Sequence, residues 1–188
     1  MTGLLKIDGQ RVDILDAFIH EGDVNLASGD VDFKGDIVVN GSIDTGSTII
    51  SPKSITINGD IRDGFVYCGG DLSVSGHIIT GKKGYVKCSG DIKAEFIENS
   101  AIYCKGSIFV QKSILSSLVY AKGNILLSGN KTRLSGSKII VWQNLEVDNL
   151  GFERGKDTTI QLGSDWIIER RIELLKKRKE NFEDILAK

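Results

Sequence analysis

The chain has 188 residues, a length suited to one domain, and its formal net charge of −1 at pH 7 excludes the broad basic surface of a nucleic-acid binder. Twenty-two glycines accompany a single proline, and no apolar run approaches the length of a bilayer span. Three cysteines, with no charged-then-apolar leader at the start, predict reduced thiols and a cytoplasmic location.

Taken in order, residues 1–22 read as a lead-in. Leu4-Leu5-Lys6-Ile7 is strand-like and Asp8-Gly9 is a turn signal. The segment is apolar enough to bury, and it is expected to cap the open strand edge of the residues after it. The stretch VNLASGDVDFKGD then begins to resemble a repeat, with Leu26, Val31 and Phe33 expected to point inward.

From Gly35 the repeat is in register. Successive lines read GDIVVNGSIDTGSTIISP, KSITINGDIRDGFVYCG, GDLSVSGHIITGKKGYVKCS, GDIKAEFIENSAIYCK, GSIFVQKSILSSLVYAK and GNILLSGNKTRLSGSKIIVW, then a looser QNLEVDNLGFERGKDTTIQLG. Each line opens on a small or polar pair: Gly35-Asp36, Lys53-Ser54, Gly70-Asp71, Gly90-Asp91, Gly106-Ser107, Gly123-Asn124, Gln143-Asn144. An aliphatic residue follows every pair. A period of about 17 residues, divided into short strand-like segments, is the pattern of a parallel β-solenoid, because no line could bury its apolar face alone.

Within the lines the apolar residues recur about every six positions, as in Ile37, Ile43, Ile49, Ile55 and Ile61, and alternate with period two inside a segment. The pattern predicts an all-β, roughly triangular single-stranded coil of about seven turns over residues 23–163, a rod of about 30 Å. The Gly-Asp and Asn-Gly steps are expected to supply left-handed or tight backbone at the corners.

One column of the coil, Cys68, Cys88 and Cys104 with Ser51 before and Ala121 after, reads as a corner that accepts small inward side chains. The neighbouring column, Ile50, Tyr67, Lys87, Tyr103, Tyr120 and Ile140, points outward. Two readings of it stand side by side. Aromatic ladders suit strand faces, and Tyr67, Tyr103 and Tyr120 also make a partly apolar contact surface for another copy or a partner.

Residues 164–188 change period. Ser164 or Asp165 can cap a helix, and Ile168, Ile172, Leu175, Lys179, Phe182 and Leu186 form a heptad stripe of coiled-coil character interrupted by Lys179. The stripe would pack on its own coil or on the same helix of a second copy. Lys176–Lys179 reads as a solvated face.

The segments GDVNLASGDVDFKGDIVVNGSI, GDIKAEFIENSAIYCKGSIFVQKSIL and TTIQLGSDW resemble the flagellar assembly protein A family of bacteria, over about residues 21 to 175. Bactofilins are a more distant similarity. The resemblance implies a right-handed parallel β-helix followed by a coiled-coil-like helix, in a bacterial cytoplasmic protein that assembles or places cell structures. It supplies no catalytic residue. Against that family the sequence is short, lacking a long N-terminal region and most of the helical region.

No independent chemistry stands out. The two histidines, His20 and His77, lie far apart, and P-loop, GxSxG, HExxH and calcium-binding nonapeptide patterns are absent. We expect no catalytic residues, no cofactor and no metal site. The competing reading is a solenoid enzyme, a hexapeptide-type acyltransferase or a polysaccharide-active protein, using the carboxylate row Asp36, Asp71 and Asp91. The expected partners are a second copy, in a closed dimer, and another flagellar or cell-structure protein.

Overall fold

The computed structural model describes residues 4–8, 11–15, 17–151, 157–164, 168, 171–172 and 174–180. Alternation of apolar and polar residues over short segments sets the architecture: a parallel β-solenoid of about eight turns, each turn contributing to three faces. The first face runs from Ala17–Glu21 through Asp36–Asn40, Ile55–Ile57, Leu72–Val74 and on to Ile125–Leu127 and Leu145–Glu146. The second takes in Ile61–Arg62, His77–Ile79, Arg133–Ser135 and Asn149–Leu150, with bridges at Val24 and Ile43. The third stacks eight strands from Val31–Asp32 to Thr159–Leu162. In two turns the strands Ile92–Glu98 and Ile108–Leu115 run through a corner, joining the first two faces into one 12-stranded sheet.

One turn more is present than the repeat predicted. The ladder starts at Ala17–Glu21, ahead of the expected start at 23, because Ala17 pairs with Asp36 and Phe18 with Ile37. At this turn Asp16-Ala17 stands where later turns carry Gly-Asp, so the marker of the repeat is missing from the sequence. Leu4–Asp8 and Arg11–Leu15 form a separate antiparallel pair.

Register aligns like with like. Ile37, Ile55, Leu72, Ile92, Ile108 and Ile125 stack on the first face, and Ile49, Val66, Val86, Ile102, Val119 and Ile139 on the third. All are buried, with relative exposure of 0–1%. Each such aliphatic side chain contributes about 1.5–3 kcal/mol through burial. Phe33 packs against this column and Val31 lies within it, as expected. Leu26 does not: it is 85% exposed. Asn25 accepts the amides of Ala27 and Ser28 on its Oδ1, folding the segment into a tight turn with Leu26 at its tip.

The corner between the third and first faces is built by side-chain oxygens. Ser54 donates its amide to Asp36 Oδ1 at 2.9 Å, Asp71 to Ser54 Oγ at 3.2 Å, and Asp91 to Asp71 Oδ1 at 2.8 Å. Ser107, Asn124 and Asn144 continue the series onto Asp91, Ser107 and Asn124. The second residue of each line-opening pair from Asp36 to Asn124 therefore accepts the amide of its counterpart one turn on.

The glycine before it is needed for space. A Cβ on Gly90 would stand 2.1 Å from Asp71 Oδ1, and one on Gly106 would stand 2.4 Å from Asp91 Oδ1. Neither of these two glycines has a left-handed φ, whereas the Gly22-Asp23 and Gly29-Asp30 steps near the start of the coil do, at φ 85° and 81°. Left-handed backbone also recurs between the second and third faces, at Gly46, Asp63, Gly81, Asn99, Ser116 and Gly136 in successive turns.

Two outcomes check this account. Val86→Asp or Ile102→Asp is expected to abolish folding, because each buries an unpaired charge, whereas Lys87→Asp leaves the circular dichroism spectrum unchanged. Equal thermal stability of the two sets would reverse the assignment of inward and outward columns. At the corner, Asp71→Asn keeps the acceptor and is expected to be near neutral. Asp71→Ala should lose about 1–2 kcal/mol in urea unfolding.

Candidate functional site

Period-two alternation turns one row of third-face side chains outward at each strand position, and parallel register stacks them turn on turn. Tyr67 pairs in register with Ile50 and Lys87, and Tyr103 with Lys87 and Tyr120. Tyr103 and Tyr120 are stacked, with ring centroids 5.2 Å apart and planes 8° from parallel. Tyr67 meets Tyr85 edge-on at 5.4 Å, and their hydroxyls hydrogen-bond to one another. That bond raises the Tyr67 phenol above its ordinary pKa. Lys87 Nζ lies 4.5 Å from the centre of the Tyr85 ring and 5.4 Å from that of Tyr67, within cation–π range.

The three expected tyrosines are thus brought onto one face, but the patch is wider than they are. Tyr85 and Phe65, centroids 5.3 Å apart, belong to the parallel row two positions earlier. The signal was in the sequence, since Tyr85 precedes Lys87 by one outward step. Beside these rows lies an open groove of about 390 Å³, lined by Ile50, Pro52, Tyr67, Lys87, Tyr103 and Lys105 among others. Ile140, expected outward in the same column, is buried at 3% exposure.

Cys68, Cys88 and Cys104 form the inward column behind the groove, and all are free and buried. They do more than fill a small space. The Cys68 thiol donates to the Lys53 carbonyl at 3.3 Å, Cys88 to Gly70 at 3.1 Å and Cys104 to Gly90 at 3.2 Å. Ser51 makes the matching bond to Gly35 at 2.6 Å. In these four turns the third face is so tied to the preceding corner. The thiol of Cys104, hydrogen-bonded to Cys88, pushes the Cys88 pKa up to about 12, and the contact with Cys88 together with burial raises Cys68 as well.

The carboxylate row offers no convergent pair. Asp36, Asp71 and Asp91 each hold a backbone amide of the next turn. Asp60 does the same for His77, and that amide, with Arg62 adding, keeps its carboxyl below the ordinary range. The His77 ring lies 4.4 Å from that of Phe96, and His20 hydrogen-bonds the Asp23 carbonyl. Among the described residues no group of three or more His, Cys, Asp or Glu side chains could hold a metal ion.

After Gly163 the backbone becomes helical at 168, 171–172 and 174–180. Ile168, Ile172, Leu174 and Leu175 are 55%, 46%, 54% and 55% exposed, so this apolar stripe is not buried against the coil. Phe182 and Leu186, the remaining members of the expected stripe, lie outside the described residues. No helix among the described residues is long and apolar enough to cross a membrane.

These features define a parallel β-solenoid whose chemistry-bearing side chains are spent on holding turns together, and whose notable surfaces are aromatic and aliphatic. The chain belongs to the flagellar assembly protein A family: the model for the Flagellar Assembly Protein A beta solenoid domain matches residues 16–188. That family is not a known enzyme family, and membership gives the protein a flagellar-assembly-related character. No curated protein and no solved structure matches the chain.

The thiols supply the test of this packing. All three cysteines are buried, and the thiols of Cys68 and Cys88 are pushed up, so all three should react slowly with a thiol reagent in the native protein. In denaturant they should react at the rate of free cysteine. Fast native labelling, or stoichiometric zinc or iron in metal-free preparations, would overturn the assignment.

Proposed function

We propose that this protein is a non-enzymatic scaffold of the bacterial cytoplasm that self-associates and presents a rigid coil during flagellar or cell-structure assembly. The observation that carries this reading is the exposed aliphatic stripe Ile168, Ile172 and Leu175, which a lone chain leaves in water. Such a stripe gains stability when a second copy covers it. In this reading the segment before Ala17 closes the head of the coil, residues 17–163 form the spacer, and residues 164–188 form the pairing helix. The Tyr67, Tyr103 and Tyr120 ladder adds a second contact surface, for another copy or for a flagellar protein. Aromatic side chains of this kind are enriched where interfaces form.

A stripe of roughly three heptads with Lys179 at a seam position is marginal alone, so the coil itself should contribute to pairing. The expected assembly is a closed dimer. Leu175→Glu combined with Phe182→Glu should yield a folded monomer, read by light scattering across a concentration series. Long filaments from the unaltered protein would refute it, and an unchanged dimer in the double variant would move the interface to the coil.

A further inference from the structure

We infer that the third face is a docking site for an acidic, extended segment of a partner protein. The segment seats one apolar side chain in a notch beside Tyr67 and sets its carboxylates against Lys87 and Lys105. The inference rests on the tyrosine-ladder part of the reading above, gives that ladder's partner a chemistry, and does not depend on the pairing helix.

The notch arises in the column that follows the third-face strands. Gly69 donates its amide to the Ser51 carbonyl, Ser89 to Cys68, Lys105 to Cys88, Lys122 to Cys104 and Trp142 to Ala121. Pro52, Gly69, Ser89, Lys105, Lys122 and Trp142 are thereby stacked turn on turn. Only Gly69 and Ser89 lack bulk in that column. Gly69 has no room for any, since a Cβ there would stand 2.2 Å from the Pro52 carbonyl oxygen. Two successive turns without a large side chain open the groove of about 390 Å³. Pro52 and Lys105 stand at its ends, Tyr67, Lys87 and Tyr103 line it, and the buried Cys68 and Cys88 lie behind it. Its volume is that of a site for a small group, with apolar and aromatic walls and few polar atoms.

The charges in this lining are Lys87 and Lys105, both positive. Among the described residues no carboxylate pairs with either, whereas Lys112 is paired with Glu95 and Arg62 with Asp44 and Asp60. The Tyr85 and Tyr67 rings position the Lys87 ammonium, and a cation–π contact leaves its N–H donors for another acceptor. The third-face strands from Thr48–Ser51 to Lys138–Val141 contain no aspartate or glutamate. Asp71 and Asp91 come later, at the corner, where each gives an oxygen to an amide of the next turn. An apolar notch flanked by two unpaired cations is complementary to an anionic segment with one apolar anchor.

Every strand that borders the groove is paired on both sides, so the segment cannot join as an added strand and must be held through side chains. From Ile50 to Tyr103 the groove crosses four turns, a span of about 14 Å that an extended segment covers with about four residues. A bilayer surface suits it less, because a lipid surface does not fill a notch and two lysines add only about 1 kcal/mol each at an anionic membrane.

The test pans the full chain against a displayed library of random octapeptides and measures the selected peptides by fluorescence polarisation. They should share carboxylates around a leucine or an aromatic residue, and bind more weakly as salt rises. Lys87→Glu with Lys105→Glu, and Ser89→Phe, which fills the notch, should each weaken binding at least about 10-fold. Lys93→Glu with Lys131→Glu, an equal change of charge away from the groove, should weaken it less than about twofold. All five positions are exposed, so the variants should keep the native circular dichroism spectrum. Selected peptides without acids, equal binding by every variant, or no saturable binding would overturn the inference. Retention on phosphatidylglycerol vesicles that needs Lys87 and Lys105, with no acidic peptide selected, would replace the peptide by a membrane surface. Light scattering on the same samples reads the dimer separately, so loss of peptide binding with the dimer intact sinks this inference alone, and peptide binding by a monomer sinks only the pairing. If Ser89→Phe fails to fold, the charge-reversal pair decides.

Discussion

The structure depends on one repeated bond: an amide at each corner given to a side-chain oxygen of the turn before. A parallel coil must bend its backbone every few residues, and at each bend the ladder of amides and carbonyls is interrupted. An amide left bare there would cost free energy at every turn. Asp36, Ser54, Asp71, Asp91, Ser107 and Asn124 meet that need in sequence, each holding its successor. Aspartate, serine and asparagine interchange here because the position requires a short acceptor and not a charge. The residue before it is small because the acceptor occupies the space where a Cβ would stand. These bonds also fix register, since a slip of one residue would present Ile37 or Leu72 to the corner and Asp36 or Asp71 to the core.

With register fixed, the surface inherits the same order. A residue placed at one outward position stands beside the residue about 17 positions later, and the third face shows the outcome. Stacked tyrosines, an edge-on Tyr67–Tyr85 pair and a lysine held over the rings are neighbours across turns and far apart in sequence. The first face carries amides in the same way: Asn58 donates to Asn40 and Asn40 to Glu21. The faces share one inward column design and differ only in what they offer to water. A coil built so can change its outward surface without touching its core.

Much of this was legible because the repeat is written in isoleucines. Ile37, Ile43, Ile49, Ile55 and Ile61 could be assigned inward from spacing alone, and all five are buried. The tyrosine column was legible for the same reason. What spacing could not reveal was any feature that breaks the alternation. Leu26 is apolar yet exposed, because Asn25 organises a local turn that outranks the periodic signal. The turn beginning at Ala17 was hidden because its corner carries no glycine. The line-opening Gly-Asp pairs Gly70-Asp71 and Gly90-Asp91 have no left-handed residue, because a corner built by side-chain acceptors does not need one. Part of the left-handed backbone lies at Asp63, Asn99 and Ser116, types that give a weaker sequence signal than glycine.

A repeat with these rules has no internal reason to stop, so its ends carry information that its middle cannot. Each interior turn is buried above and below by near-copies of itself, and its apolar residues have no freedom to serve anything but the stack. At the last turn the same residue types meet no copy, and Leu150 and Leu162 are left largely in water. An isolated coil would be expected to finish with polar side chains there, as terminal repeats must for solubility. Retaining aliphatic residues at that position, directly before a helix with an exposed aliphatic stripe, concentrates uncovered apolar surface at one end of the molecule.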